Sequence, residues 1–449
     1  MAQTSGSALA PFGWIGVIRL GLVQTALGAI VVLTTSTLNR IMVVELALPA
    51  ALPGALVGWH YAVQMARPHF GHGADVGGAR APWIIGGMAT LCIGGFGAAC
   101  ATALMQSNPL AGVLLAIIAF LFIGAGVGAA GTNLLALLAT RTAPERKAAA
   151  AAIVWIMMIF GFVLTAGVVG AVLDPFSMER LLVVAASVGV VAFIVATLAV
   201  LGVEGAPSAP PIEEKPKPSL AEAVRAVWDE RQARRFTIFV FVSMLAYSAQ
   251  DLILEPFAGL VHGYAPGEST KLAGVQNGGV LLGMIATAVI GTLVGRSRAK
   301  FMRRWTMAGC LASAAALGAL AYGAAFGGGV PLQANVFALG AANGAFAVAA
   351  IGSMMALASV GENSAEGVRM GVWGASQAIA FGVGGFLGAV ALDAARAAIE
   401  ATGPAFAIVF AAEGTLFLVA AALALRVGAS DADNITLPAM PAGEPLPAE

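Results

Sequence analysis

Apolar runs of about 20 residues recur along this chain between residues 17 and 426, each long enough to cross a bilayer as a helix. No other feature constrains the fold as tightly. Inside hydrocarbon every backbone N–H and C=O needs a partner, so only helices or closed barrels can cross. The strand-length alternation of a barrel is missing, which leaves helices. The chain is 59% hydrophobic and only 10% charged, too little polar surface to cover a soluble core of 449 residues. An all-α polytopic membrane protein is expected.

Windows of about 19 residues place roughly twelve spans. Six fall near 17–38, 47–66, 83–105, 110–138, 149–172 and 181–203. Six more fall near 236–258, 272–295, 305–327, 333–357, 371–392 and 404–426. The chain thus divides into a first half, 1–203, a polar linker, 204–235, a second half, 236–426, and an acidic Pro/Ala-rich tail, 427–449, read as disordered. Within the linker, Ser219 and Glu222 form a capping-box pattern, and Leu220, Val224, Val227 and Trp228 follow at helical spacing. A short amphipathic helix on the membrane surface is expected there. The first residues lack the basic stretch of a cleavable signal peptide, so the first span is expected to direct insertion itself.

Charge placement orients the chain. With both termini cytoplasmic, 19 of the 23 Lys and Arg lie on the inner side, and only Arg40, Arg180, Lys271 and Arg396 lie outside. Net charge is zero, which argues against a nucleic-acid partner. Cys92, Cys100 and Cys310 lie in apolar spans without metal-ligand spacing and read as packing residues, and no free metal ion is expected. The halves also echo each other: Trp155 precedes Gly167 and Gly170 in the fifth span as Trp373 precedes Gly385 and Gly388 in the eleventh. Duplicated six-helix halves are a transporter-type architecture.

Several strings carry a family resemblance. The loop after the second span, GHGADVGGARAPW, resembles the conserved loop of the major facilitator superfamily through Gly71, Asp75, Gly78 and Arg80. There the glycines permit a tight turn and Asp75 can pair with a base or cap a helix. STLNRIMVVELALPAALPG, HYAVQMARPHFGHGAD and QDLILEPFAG together resemble the PucC family of that superfamily, on a branch that carries an old bacteriochlorophyll-synthase chain label. The resemblance covers nearly the whole membrane region, without the linker and tail. It implies a major facilitator fold of two six-helix repeats and a role in assembling light-harvesting or reaction-centre complexes by handling bacteriochlorophyll or a precursor. It further implies the bacterial inner, intracytoplasmic photosynthetic membrane, with bacteriochlorophyll synthase, antenna polypeptides or reaction-centre subunits as partners. The label suggests an enzyme, but no catalytic motif accompanies it, and the aspartate-rich pattern of a prenyl-transferring synthase is missing.

The polar residues inside the spans are the candidate site. Asp251 and Glu255 are four residues apart on one helix face, which Ser243, Tyr247 and Gln250 extend. A charged carboxylate near mid-bilayer costs roughly 2.5–3.5 kcal/mol, so such residues default to function. Three roles compete: proton relay, polar anchor for a ligand, or glue between helices. Pro256 frees a backbone carbonyl one turn earlier and is expected to kink or end the helix. His60, followed by Gln64 and Arg67 on about the same face, is a candidate axial ligand for a pigment magnesium, although a hydrogen-bonded packing histidine is the commoner outcome. Glu413 is a further intramembrane acid, and Asn39, Arg40 and Glu45 form a polar string after the first span. Arg40 and Glu45 are five residues apart, which does not stack them on an α-helix, so they are expected either to pair across a break or to lie along the outer interface. Asn343 and Gln377 are read as packing residues between helices of the second half. Two functions therefore compete beside a non-catalytic subunit of the synthase: a pigment-handling assembly factor, and a proton-coupled transporter of a small solute.

Overall fold

A computed structural model of the chain describes residues 12–67, 69–70, 74, 79–143, 146–204, 225, 228–293, 298–327, 329–358 and 366–426. These form twelve principal helices and, among the described residues, no strand. The first half contains α1 (Trp14–Glu45), α2 (Ala51–Gln64), α3 (Ala81–Met105), α4 (Pro109–Arg141), α5 (Lys147–Val172) and α6 (Met178–Val200). The second contains α7 (Arg231–His262), α8 (Pro266–Leu293), α9 (Arg298–Phe326), α10 (Leu332–Ala358), α11 (Glu366–Ala398) and α12 (Thr402–Arg426). Eleven are long and apolar enough to cross a membrane. The exception is α2: the span expected at 47–66 is a helix of only 14 residues. The linker helix expected from Ser219 falls almost wholly outside the described residues, as do Gly71, Asp75, Gly78 and the tail 427–449.

Two boundaries differ from expectation for a physical reason. α1 does not stop near residue 38; it runs on through π-helical turns at Leu33–Thr37 and Ile41–Glu45. There the backbone bonds close i to i+5, as in Leu46 N–H to Ile41 O at 3.0 Å. α7 does not break at Pro256 but continues to His262, ending on Gly263 in the left-handed conformation.

The two halves repeat one packing scheme. α1 packs on α5 and α6, α3 on α4 and α6, and α2 on α4. Six helices later, α7 packs on α11 and α12, α9 on α10 and α12, and α8 on α10. The halves meet along two seams that exchange under the same relation, α5 on α8 and α2 on α11, and along a third where the end of α1 packs on α7. Without water to drive association, such contacts rest on close backbone approach. A Cβ added to Gly170 on α5 would lie 2.6 Å from the Gly267 oxygen on α8, so only glycine fits that crossing. Each half has its own apolar core, with Phe120 and Met88 in the first and Phe346, Phe410 and Trp373 in the second.

Connections alternate between the two ends of the bundle. One end, called here the clasp end, carries the α1–α2, α7–α8 and α11–α12 connections. The other, the terminus end, carries the start of α1, the end of α12 and the α6–α7 connection.

Candidate functional site

The polar groups expected on α1 and α7 come together where the halves meet. Glu255, 3% exposed, accepts through Oε1 from the Ser36 hydroxyl in the first π-turn of α1. Asp251, one turn earlier, accepts at 3.3 Å from the Gln276 amide on α8. The two carboxylates share α7 but serve different neighbours, one across the seam and one within the second half. Asp251 also lies within electrostatic range of Tyr61, Tyr247, Glu255 and Glu413. Asp251 thus belongs to a buried acid centre that joins α7 to α8. Gln250 and Glu413 are also buried, and among the described residues neither the Gln250 amide nor the Glu413 carboxylate has a hydrogen-bond partner. The Glu255 Oε2 atom is likewise without one among the described residues.

Asn39, Arg40 and Glu45 prove to be seam residues. Because Pro256 has no N–H, the Leu252 carbonyl four residues earlier is free of its helical bond. Asn39 Nδ2 donates to that oxygen at 2.7 Å, so the proline of one half makes the acceptor that the other half uses. Arg40, only 2% exposed, donates to the Tyr264 oxygen at 2.6 Å in the α7–α8 connection and pairs with Glu45. No break separates Arg40 from Glu45. The π-turn of Ile41–Glu45 brings residues five apart onto one face, which an α-helix would not do. Thr37 and Thr270 pair their hydroxyls at 3.2 Å nearby.

The string on α2 forms a separate chain of bonds. Gln64 Nε2 donates to His60 Nε2 at 2.7 Å, and Arg67 donates to Gln64 Oε1. His60 Nδ1 is buried without a partner among the described residues, and the ring packs edge-on against Tyr61. His60 does not line the groove described next, so neither ring nitrogen is offered to a macrocycle there. Asn343 behaves as read: its Oδ1 accepts from Ser313 at 2.8 Å, joining α9 to α10. Of the loop motif only Arg80 is described, and its backbone N–H donates to Glu204.

Along the α2–α11 seam runs a groove of about 360 Å3, walled by Ala55, Gly58, Tyr61 and Ala62 on α2, by Met65 just past its end, and by Ala378, Ile379, Gly382, Val383 and Phe386 on α11. Every wall residue but Tyr61 is apolar. Tyr61 packs on Phe381, which packs on Tyr247, one turn before Asp251. An apolar groove therefore stands beside a buried acid centre, with aromatic rings between them.

Sequence reasoning missed Ser36, Gln276, Asp393 and Glu204. Each is a single polar residue whose partner lies far along the chain. The one available signal was an acid near the end of an apolar run, as in ALDAARAA for Asp393.

The PUCC protein family profile matches residues 37–432. The chain belongs to the PucC family. It is 52% identical over 421 residues to the bacteriochlorophyll synthase 44.5 kDa chain of Rhodobacter capsulatus, covering 93% of this chain and 96% of that protein. It is 30% identical over 437 residues to Protein PucC of the same organism, covering 91% of each. Among solved structures, a D-xylose-proton symporter superposes with a TM-score of 0.67 at 16% identity, covering 92% of this chain and 97% of the symporter. At that identity the likeness concerns the fold alone, which is of the major facilitator type.

Proposed function

We propose that this PucC-family chain is a non-catalytic assembly factor of the photosynthetic membrane that accepts bacteriochlorophyll or a precursor and passes it on. The receiver would be bacteriochlorophyll synthase, an antenna polypeptide or a reaction-centre subunit. The observation that carries this reading is the apolar α2–α11 groove set beside the Asp251 centre. A pigment with a long hydrocarbon tail and a ring bearing polar substituents needs both environments, and placing them together lets one ligand use both. The name of one relative, a bacteriochlorophyll synthase chain, concerns the same pigment. The groove, rather than His60, would hold the apolar body, because His60 does not line it.

The role is read as non-catalytic because Glu255 and Asp251 already serve as acceptors for Ser36 and Gln276, and no nucleophile or metal-ligand set accompanies them among the described residues. Following the positive-inside rule, the terminus end faces the cytoplasm. The chain sits in the inner photosynthetic membrane, among lipid.

Purification in mild detergent followed by an absorption spectrum tests the reading. Long-wavelength pigment absorbance that copurifies with the chain is the expected result. A colourless protein that drives solute flux in response to a pH gradient would overturn it in favour of a transporter. Esterification of bacteriochlorophyllide by the isolated chain, with no separate synthase present, would overturn the non-catalytic role.

A further inference from the structure

The first turn of α2 has no cap of its own. Its N-cap residue is Ala50, in the sequence LPAALPG, and no side chain from that stretch reaches the free N–H groups. Asp393 reaches them from α11 in the other half. Its Oδ1 accepts from Ala50 N–H at 2.9 Å and its Oδ2 from Ala51 N–H at 2.7 Å. Both oxygens of one carboxylate are thus committed to the positive end of a helix across the seam.

These are the only side-chain hydrogen bonds between α2 and α11 among the described residues. Beyond them the seam runs over small residues. A Cβ added to Gly54 would lie 2.8 Å from Ala389 Cβ, and one added to Gly58 would lie 3.9 Å from Phe386 Cβ. The groove opens along the same pair of helices, from Ala55 and Phe386 toward Met65 and Ala378. The pair is therefore gripped at the clasp end and apolar from there on.

We propose that Asp393 is a positioning residue, a clasp that holds α2 against α11 and so sets the width of the groove. The clasp depends on both carboxylate oxygens, so an amide keeps half of it and an alanine none. Its action requires no pigment, and its test is independent of the function proposed above.

The test is cross-linking along the seam. In a chain with Cys92, Cys100 and Cys310 replaced by Ser, Gly58→Cys and Phe386→Cys place two Cβ atoms 3.9 Å apart, close to ordinary disulfide geometry. With Asp393 intact the pair is expected to oxidise readily in membranes. Asp393→Ala is expected to slow disulfide formation roughly fivefold, as loss of a helix cap would, and Asp393→Asn to slow it by less. Glu204→Ala removes a cap of the same kind from within one half and is expected to leave the rate unchanged. Equal rates in the parent, Asp393→Ala and Asp393→Asn chains would overturn the proposal, as would equal slowing by Glu204→Ala. Should Asp393→Ala fail to accumulate in membranes, the Asp393→Asn chain decides alone: a parental rate refutes the clasp and a slower one supports it.

Discussion

Asp393 and Glu204 do the same chemistry at opposite ends of the molecule. Each spreads one carboxylate over two backbone N–H groups at an uncapped helix start. For Asp393 these belong to Ala50 and Ala51, and for Glu204 to Arg80 and Ala81 at 2.5 and 2.7 Å. The difference lies in what they join. Glu204 ties α3 to the end of α6 inside the first half, where Arg141 also donates to the Glu204 backbone oxygen and Arg19 donates to the Ala199 oxygen at 3.0 Å. Asp393 ties one half to the other, together with Arg40–Tyr264 and Asn39–Leu252. Polar bonds at the clasp end thus hold the halves together, whereas these bonds at the terminus end hold the first half to itself. Identical interactions give a fixed seam in one place and an independent unit in the other.

Arg40 is where the comparison breaks most visibly. Arg40→Leu removes the seam bond to Tyr264 and strips a buried charge from its partners, and should cost about 3 kcal/mol. Thermal unfolding in detergent should show a large drop in midpoint. Glu45 is 34% exposed, so Glu45→Gln should cost under about 1 kcal/mol by the same measurement. A larger loss for Glu45→Gln than for Arg40→Leu would mean that the ion pair, and not the bond across the seam, matters.

Next in size is Asn39→Leu, which leaves the Leu252 carbonyl without its donor and should cost about 1–2 kcal/mol. Pro256→Ala restores an N–H that can bond Leu252 within the helix. The double variant should therefore lose less than the sum of the single ones, a coupling readable in a double-mutant cycle. Strict additivity would sever the link between the proline and the seam. Smaller again is Glu204→Ala, expected to cost about 1 kcal/mol as a lost cap while leaving contacts between the halves intact.

The helices and the two halves were legible because an apolar run of span length has few other fates in a membrane protein. The polar residues on α1 and α7 were legible too, since a charge inside such a run stands out. Their partners were not. A π-turn shifts the backbone bonding by one residue and leaves no mark in composition, so Arg40 and Glu45 looked mismatched where they are paired. The repeat was sought in Trp155 and Trp373, which sit on corresponding helices but in different surroundings. Trp373 is 1% exposed and donates to Thr237 at 3.0 Å, whereas Trp155 is 36% exposed. Equal spacing did not carry equal roles; the order of helix pairing is what repeats. Asp393 was invisible as a clasp because its partners are backbone groups more than 340 residues earlier.

The groove beside the acid centre tests the account most directly. Ala62 is an exposed wall residue on α2, so Ala62→Trp would fill the groove without disturbing a packed core. Val190 is 59% exposed on α6, away from the seams, and Val190→Trp adds similar bulk elsewhere. The pigment-to-protein absorbance ratio of the two purified variants should separate them. The account predicts about a tenfold loss of pigment for Ala62→Trp, equivalent to about 1.4 kcal/mol of binding, and no change for Val190→Trp. Equal pigment in both variants, or a parent protein with none, would contradict it.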